Sequence, residues 1–473
     1  MRWVVCAWWL VLGHVFAACA IDRGFSEVQP TPCRHDCDPQ PIGPLNRDVD
    51  ILFVIDNSPA MLAKQTSLKN NFPNFINVLG SVPGGLPNLH IGVVTTDLGT
   101  KGAADPQPGP AIGMGPGACS GTGQNGNLVT NGSAMLTGTF ISDIQTGDGS
   151  RTTNYAGSLA SVFSSLASVG ANGCGFEQPL EAAKRALNNN PANAGFMRPD
   201  ALLALVFVQD EDDCSFAHSS LLDIDTTTLG PLQSFRCNRF GHVCTQGGTT
   251  PDLMNVTGPK GGCASNESSP YLTRVGDYVT FFKGLKTNPA NVIVAGIAGP
   301  TLPYEVELRV PNGSTTAIPA VAHSCSYVAG TAVEVADPAV RLRQFLAQFP
   351  NRNTVTTVCN EDLSGALILI AELVKQVVGT NCVEVDDIDP APGFQVDCVV
   401  AEVQNYGHVN QTERVLLQCD NLADPPASTI KPCWWLKEDA TACPVASQRL
   451  LQIERSEPPP EGTQILAYCA RFS

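Results

Sequence analysis

Val49-Asp50-Ile51-Leu52-Phe53-Val54-Ile55-Asp56-Asn57-Ser58-Pro59-Ala60-Met61 decides how this chain is read. A continuous apolar run of this length is the pattern of a strand buried on both faces of a parallel sheet. It stops at Asp-Asn-Ser-Pro, a helix-start signal. Asp56 and Ser58 are thereby placed at the carboxyl end of a central strand, where open α/β sheets hold their ligands. An Asp beside a hydroxyl is a hard oxygen site of the kind that takes Mg²⁺ or Ca²⁺.

Outward from that strand the pattern alternates. A helix is predicted over 61–79, with Leu62, Leu68, Phe72, Phe75 and Leu79 at helical spacing, and a strand over Leu89 to Thr95. A Gly-rich loop follows from Asp97 to about 136, then a short strand over 137–142 and helices over 155–169 and 177–189. Ala201 to Val208 is a second fully apolar strand, ending in Asp210-Glu211-Asp212-Asp213. Helices over 274–286, 338–349 and 361–378 alternate with strands over 291–297 and 354–358. The fold class expected is α/β, a doubly wound, mostly parallel sheet with disulfide-rich loop insertions. From 381 the helical period ends and six cysteines stud short apolar runs, the pattern of a small, disulfide-stapled, mainly β module over 381–473.

The opening stretch resembles the start of the von Willebrand factor A (vWA) domain, whose metal-ion-dependent adhesion site (MIDAS) begins Asp-x-Ser-x-Ser; Ala60 replaces the second serine. The resemblance covers 48–380. It implies a distant Asp at the tip of the next buried strand, and Asp210 fits. It also implies a Thr before a helix, where Gly173-Cys174-Gly175-Phe176-Glu177 places Cys174, with Glu177 close by. The metal ligands so implied are Asp56, Ser58 and Asp210, with Glu177 and Asp212 as supplements. In that family a partner's carboxylate completes the shell of a bound Mg²⁺ or Ca²⁺, which joins protein to protein and fails in chelator. The alternative for the same residues is helix capping without metal.

Residues 1–20 read as a secretory signal: Arg2, an apolar run from Trp3 to Val15, and small residues before the cleavage point. Phe16-Ala17-Ala18-Cys19 is close to a bacterial lipobox and would leave Cys19 lipidated. Ala18-Cys19-Ala20 also satisfies an ordinary signal peptidase. Residues 21–47 are a Pro-rich tether. The predicted location is extracytoplasmic: secreted, or in a bacterial cell envelope as a periplasmic protein or outer-membrane lipoprotein, touching membrane only through the N-terminal lipid. A net charge of −16 argues against nucleic acid.

Eighteen cysteines in a chain with a signal imply disulfides, and without Cys6 and Cys19 sixteen remain, an even number. In a parallel sheet every loop after a strand lies on one face. The insertions 97–136, 211–273 and 298–337 therefore gather above Asp56 and Asp210. With them come Cys119, Cys174, Cys214, Cys237, Cys244, Cys263 and Cys325, and Cys359 just beyond the last strand. Eight cysteines form a closed even set, a stapled crown, in which Cys174–Cys214 and Cys325–Cys359 are candidate bridges. Leaving aside Cys6 and Cys19 in the signal, Cys33 and Cys37 of the tether and the six tail cysteines account for the rest.

The function expected is a non-enzymatic adhesion or binding protein, its metal mediating or supporting contact with a protein ligand. A metal-free structural envelope protein is the alternative. A hydrolase or phosphoryl-transfer enzyme using Asp56 ranks behind both: the haloacid dehalogenase pattern needs Asp where Ser58 stands, and neither a G-x-S-x-G elbow nor a Walker A loop is present.

Overall fold

The computed structural model describes residues 39–40, 47–82, 85–146, 150–311 and 314–378. In the C-terminal segment it describes 382–383, 385, 396–404, 412–420, 428–438, 447, 449–457 and 464–469. The expected signal, Cys19 and the tether cysteines Cys33 and Cys37 lie outside these residues, as does Cys443.

In chain order the first body contains β1 (Asp48–Ile55), α1 (Leu62–Gly80), β2 (Asn88–Thr95), β3 (Ile141–Gln145) and β4 (Arg151–Thr153). Then come α2 (Leu159–Leu166), α3 (Pro179–Leu187), β5 (Leu202–Val208) and α4 (Val275–Lys283). β6 (Val292–Ala298), α5 (Val340–Leu346), β7 (Asn353–Thr357) and α6 (Ser364–Val378) complete it. The strands order β7-β6-β5-β1-β2-β3-β4. All pairings from β7 to β2 are parallel, whereas β3 and β4 form an antiparallel edge. The sheet is the doubly wound, mostly parallel α/β sheet that the apolar runs predict.

Side-chain alternation along β1 feeds two cores. Val49, Ile51, Phe53 and Ile55 pack with α1, α2 and α6 on one face; Leu52 and Val54 pack with α3, α4 and α5 on the other. On the first face Phe53 meets Phe72, Phe75 and Phe163 with ring centroids 6.1, 6.0 and 4.8 Å away. Gly92 in β2 lets the long loop cross the opposite face, because a Cβ there would lie 2.6 Å from the Leu128 side chain.

The insertions assemble on the carboxyl-end face as expected. Their cysteines close among themselves: Cys119–Cys174, Cys214–Cys237, Cys244–Cys263 and Cys325–Cys359. The expected Cys174–Cys214 bridge is therefore corrected. The 97–123 loop folds back so that Gly117 bridges Cys174, which brings Cys119 beside it, and Cys214 turns to the helix Phe235–Gly241. These cysteines, with Phe176, Phe216, Phe240 and Leu272, form a small core of the crown's own.

The tail is β-rich. β8 (Cys398–Gln404), β9 (Thr412–Gln418), β10 (Cys433–Glu438), β11 (Arg449–Glu454) and β12 (Gln464–Cys469) form one sheet, ordered β12-β8-β9-β10-β11. Cys398–Cys469 and Cys419–Cys433 staple it. Trp434 and Trp435 are buried in its small cores. Pro39–Gln40 adds to the β12 edge.

Candidate functional site

Asp56 follows β1 directly, and its N–H donates to the Val208 carbonyl at 3.0 Å, which fixes it beside the tip of β5. Asp56 Oδ1 accepts the Ser58 N–H at 2.6 Å, closing the turn into the helical turn Pro59–Met61. The Ser58 hydroxyl makes no capping bond. Asp210 stands two residues past β5, its carbonyl accepting the Asp337 N–H at 2.7 Å. Asp56, Ser58 and Asp210 are 0%, 4% and 4% exposed, so the pair of strand-tip carboxyls lies under the crown and not on an open face.

Asp56 Oδ2, Ser58 Oγ and both Asp210 oxygens find no hydrogen-bond donor as long as the two carboxyls are ionised. A proton on Asp56 lets the two carboxyls hydrogen-bond to each other. Burial and the neighbouring Asp210 push the Asp56 carboxyl up to about 8, and it becomes the donor of the pair. Burial likewise raises Asp210, against the pull of Lys64.

Lys64 is the residue that the sequence reading missed. It lies one turn into α1, is 0% exposed, and places Nζ 3.0 Å from Asp210 Oδ2. The contact is an ion pair outside strict hydrogen-bond geometry. The same ammonium donates to Glu334 Oε2 at 2.8 Å and to the Ala60 carbonyl at 3.0 Å. Burial works against its charge, yet Asp210 and Glu334 hold it above the ordinary lysine value. A signal was present: Lys64 shares the helix stripe of Leu68, Phe72, Phe75 and Leu79, where a charge needs a buried partner.

Glu177 is brought to the same region by the loop before α3. Its carbonyl accepts the Cys214 N–H at 2.8 Å, and its carboxyl is 2% exposed with Oε1 unpaired. Burial, then Glu211 and Asp56, raise it well above the usual range, and Glu211 is raised in the same way by burial and Asp337. Gly173 in this loop carries no side chain because a Cβ would fall 2.2 Å from Asn57 Oδ1.

Asp212 is not part of this group. Oδ1 accepts the N–H groups of Asp213 and Leu342 at 2.8 and 3.0 Å. Oδ2 accepts His242 Nε2 and the Arg341 N–H, both at 2.7 Å. Both oxygens of Asp212, expected as a supplementary metal ligand, are hydrogen-bonded in the cap of α5 and to His242. Burial opposes the charge of Asp212, but His242 and the two α5 amides hold it below the usual range. Asp213, raised by burial, pairs with the equally buried Arg341 at 3.0 Å. Successive residues of the acidic run thus point to different partners. The crown histidines are also bound to carboxylates: His218 to Asp105 and His323 to Asp337.

The donor set was weighed against the divalent ion that the resemblance implies. Asp56 Oδ2, Ser58 Oγ, Asp210 Oδ1 and Glu177 Oε1 are unpaired oxygens, short of the roughly six that a hard cation takes. Ala60 offers no hydroxyl, Cys174 is locked to Cys119, Asp212 is spent, and Lys64 already places a positive charge on Asp210. Among the described residues no three His, Cys, Asp or Glu side chains converge as a metal-holding group. The residues present do not complete the shell.

Beside Asp210 a cleft of about 280 Å³ opens among Ala60, Glu211, Phe235, Arg309, Val335 and other crown residues. Among the described residues no helix is long and apolar enough to cross a membrane. The six disulfides among the described residues fit an oxidising compartment.

No protein-family description matches the chain. No curated protein matches it. Among solved structures, a von Willebrand factor type A protein from Catenulispora acidiphila is similar at 12% identity and TM-score 0.26, covering 89% of this chain and 57% of its own. The pilus adhesin SpaC from Lactobacillus rhamnosus GG is similar at 10% identity and TM-score 0.29, covering 89% and 39%. The PilB minor pilin from Streptococcus sanguinis is similar at 10% identity and TM-score 0.30, covering 70% and 62%. This chain thus spans less than two thirds of each. The fold assignment rests on strand order and pairing, not on these likenesses.

Proposed function

We propose that this chain is a non-enzymatic, extracytoplasmic protein-binding protein, carried on an N-terminal lipid at Cys19 or secreted, in which the crown and not the acidic centre meets the partner. One observation carries this reading. The strand-tip residues Asp56, Ser58 and Asp210 lie beneath stapled insertions, while the cleft beside them is lined by crown side chains. A partner reaching this face of the sheet touches the crown first.

An enzyme reading fares worse on the same geometry. An Asp nucleophile must be ionised and reachable. Asp56 is neither at neutral pH, being fully buried and pushed up to about 8.

The test is a binding measurement on the full secreted chain. Envelope and cell-surface proteins retained on the immobilised chain are identified, purified singly and re-measured by biolayer interferometry. The wild type is compared with Glu211→Arg, which places a positive charge in the cleft. The reading expects a purified partner whose affinity falls at least tenfold with Glu211→Arg. It fails if binding survives unchanged, or if the chain turns over a phosphate or ester substrate in a manner lost in Asp56→Asn.

A further inference from the structure

We propose that the Lys64 ammonium is this site's own cation: it holds the Asp210 carboxylate that the resemblance gives to a divalent metal, and the acidic centre is assembled without one. The argument is geometric. An ammonium has three N–H donors and no acceptor. Lys64 Nζ has three oxygens around it, Asp210 Oδ2 at 3.0 Å, Glu334 Oε2 at 2.8 Å and the Ala60 carbonyl at 3.0 Å. Two N–H groups donate to Glu334 and Ala60, the ammonium faces Asp210 as an ion pair, and the side chain is fully buried.

The changes around it agree. Each departure from the resemblance removes a metal ligand: Ala60 lacks the hydroxyl, and Cys174 spends its sulfur on Cys119. Ala60 offers its carbonyl to Lys64 instead. The carboxylate that a metal would share with Ser58 is the one Lys64 holds. A divalent ion on Asp210 would sit next to a fixed positive charge and could enter only by displacing the lysine.

The tethered charge also does what a coordinated ion does in joining elements. Lys64 belongs to α1, Asp210 to the tip of β5, and Glu334 to the crown hairpin Cys325–Ala329/Ala332–Ala336, itself bridged to Cys359 after β7. One side chain ties helix, sheet and crown together.

The experiment uses the full secreted chain stripped with EDTA and dialysed. Mn²⁺ binding is read by electron paramagnetic resonance, and the melting temperature is read with Mg²⁺, Ca²⁺ or EDTA. The wild type should bind no Mn²⁺ at this site and show equal melting temperatures in all three. Removing the built-in charge together with its crown partner, in Lys64→Met/Glu334→Gln, should create a Mn²⁺ site and a cation-dependent rise in melting temperature. Lys64→Gln, which keeps a donor for Asp210, provides the same reading should the double variant fail to fold. Two results overturn the proposal: Mn²⁺ binding by the wild type that Asp56→Asn abolishes, or a lysine-free variant that folds and stays indifferent to cations.

Discussion

Replacing Arg341 by Met should cost about 3–5 kcal/mol of folding stability, the usual effect of stripping one partner from a buried ion pair. Arg341 and Asp213 are both 0% exposed at the side chain and meet at 3.0 Å. The guanidinium also donates to the Asp213 carbonyl at 3.1 Å, to Ser265 Oγ at 2.9 Å and to the Thr273 carbonyl at 2.7 Å. These contacts join α5 to two separate crown segments. Without Arg341, Asp213 keeps only Ser215 Oγ at 2.5 Å and the Leu180 N–H at 3.2 Å, and its charge has no counter-ion in a dry site. Met fills much of the arginine stem, so the loss is electrostatic more than steric. Urea denaturation with disulfides intact gives the single-variant loss. Arg341→Met/Asp213→Asn should recover most of it, because removing both charges also removes the buried uncompensated carboxylate. A loss below about 1 kcal/mol for Arg341→Met, or strictly additive losses in the double variant, would refute the view that this pair clamps the crown to the sheet.

Asp56, raised to about 8, sets a pH dependence whose sign is fixed: its stabilising contribution is complete below its unfolded value near 4 and is lost as pH rises through 8. Glu177, raised by burial and by Glu211, and Glu211, raised by burial and by Asp337, act in the same direction. The melting temperature should therefore fall from pH 5 to pH 8.5, and Asp56→Asn should flatten part of that slope; a rise across the window contradicts the proton on Asp56. The Cys119–Cys174 bridge closes a loop with a sequence separation of 55, worth up to about 4 kcal/mol by chain entropy. Cys119→Ala/Cys174→Ala should thus lower the guanidinium midpoint, and an unchanged midpoint would mean the crown loop is held without its staple. Phe163→Ala, which empties the ring cluster against Phe53 and Phe72, should cost about 3–5 kcal/mol in the same titration.

The sheet was legible because its strands are buried on both faces, so β1, β2, β5 and β6 are written as unbroken apolar runs. The antiparallel edge was less so: Ile-Ser-Asp-Ile-Gln and Arg-Thr-Thr carry no such run, and the strand expected over 137–142 falls at Ile141–Gln145, with its partner Arg151–Thr153 unread. Topology alone collects the crown cysteines on one face, but pairing within the crown depends on loop path. Cys174 sits at the fold-back of the 97–123 loop, and nothing in its own neighbourhood names Cys119. Asp56 and Asp210 could be read from strand tips. Lys64 could not be read as their partner, because Glu334, which completes its shell, is 270 residues away. The acidic run 210–213 looks like one ligand cluster in sequence, yet the chain turns between residues, sending Asp210 to Lys64 and Asp212 and Asp213 to α5.

Packing so many carboxyls under a crown raises a charge problem, and the counter-charges show how the chain meets it. Asp210 is offset by Lys64 from α1 and Asp213 by Arg341 from α5, while Asp212 is hydrogen-bonded by His242 of the crown strand His242–Gln246 and by the first α5 amides. No counter-charge comes from the carboxylate's own element. Each arrives only when another element docks, so neutralising the acidic centre and closing the crown are one event. A diffusible metal could neutralise the strand tips before the crown closed. Side chains anchored on α1, α5 and the crown cannot, and the electrostatic strain of an open crown then falls on the open state alone. This favours a rigid, permanently covered sheet face, and it places the burden of recognition on the loops above it.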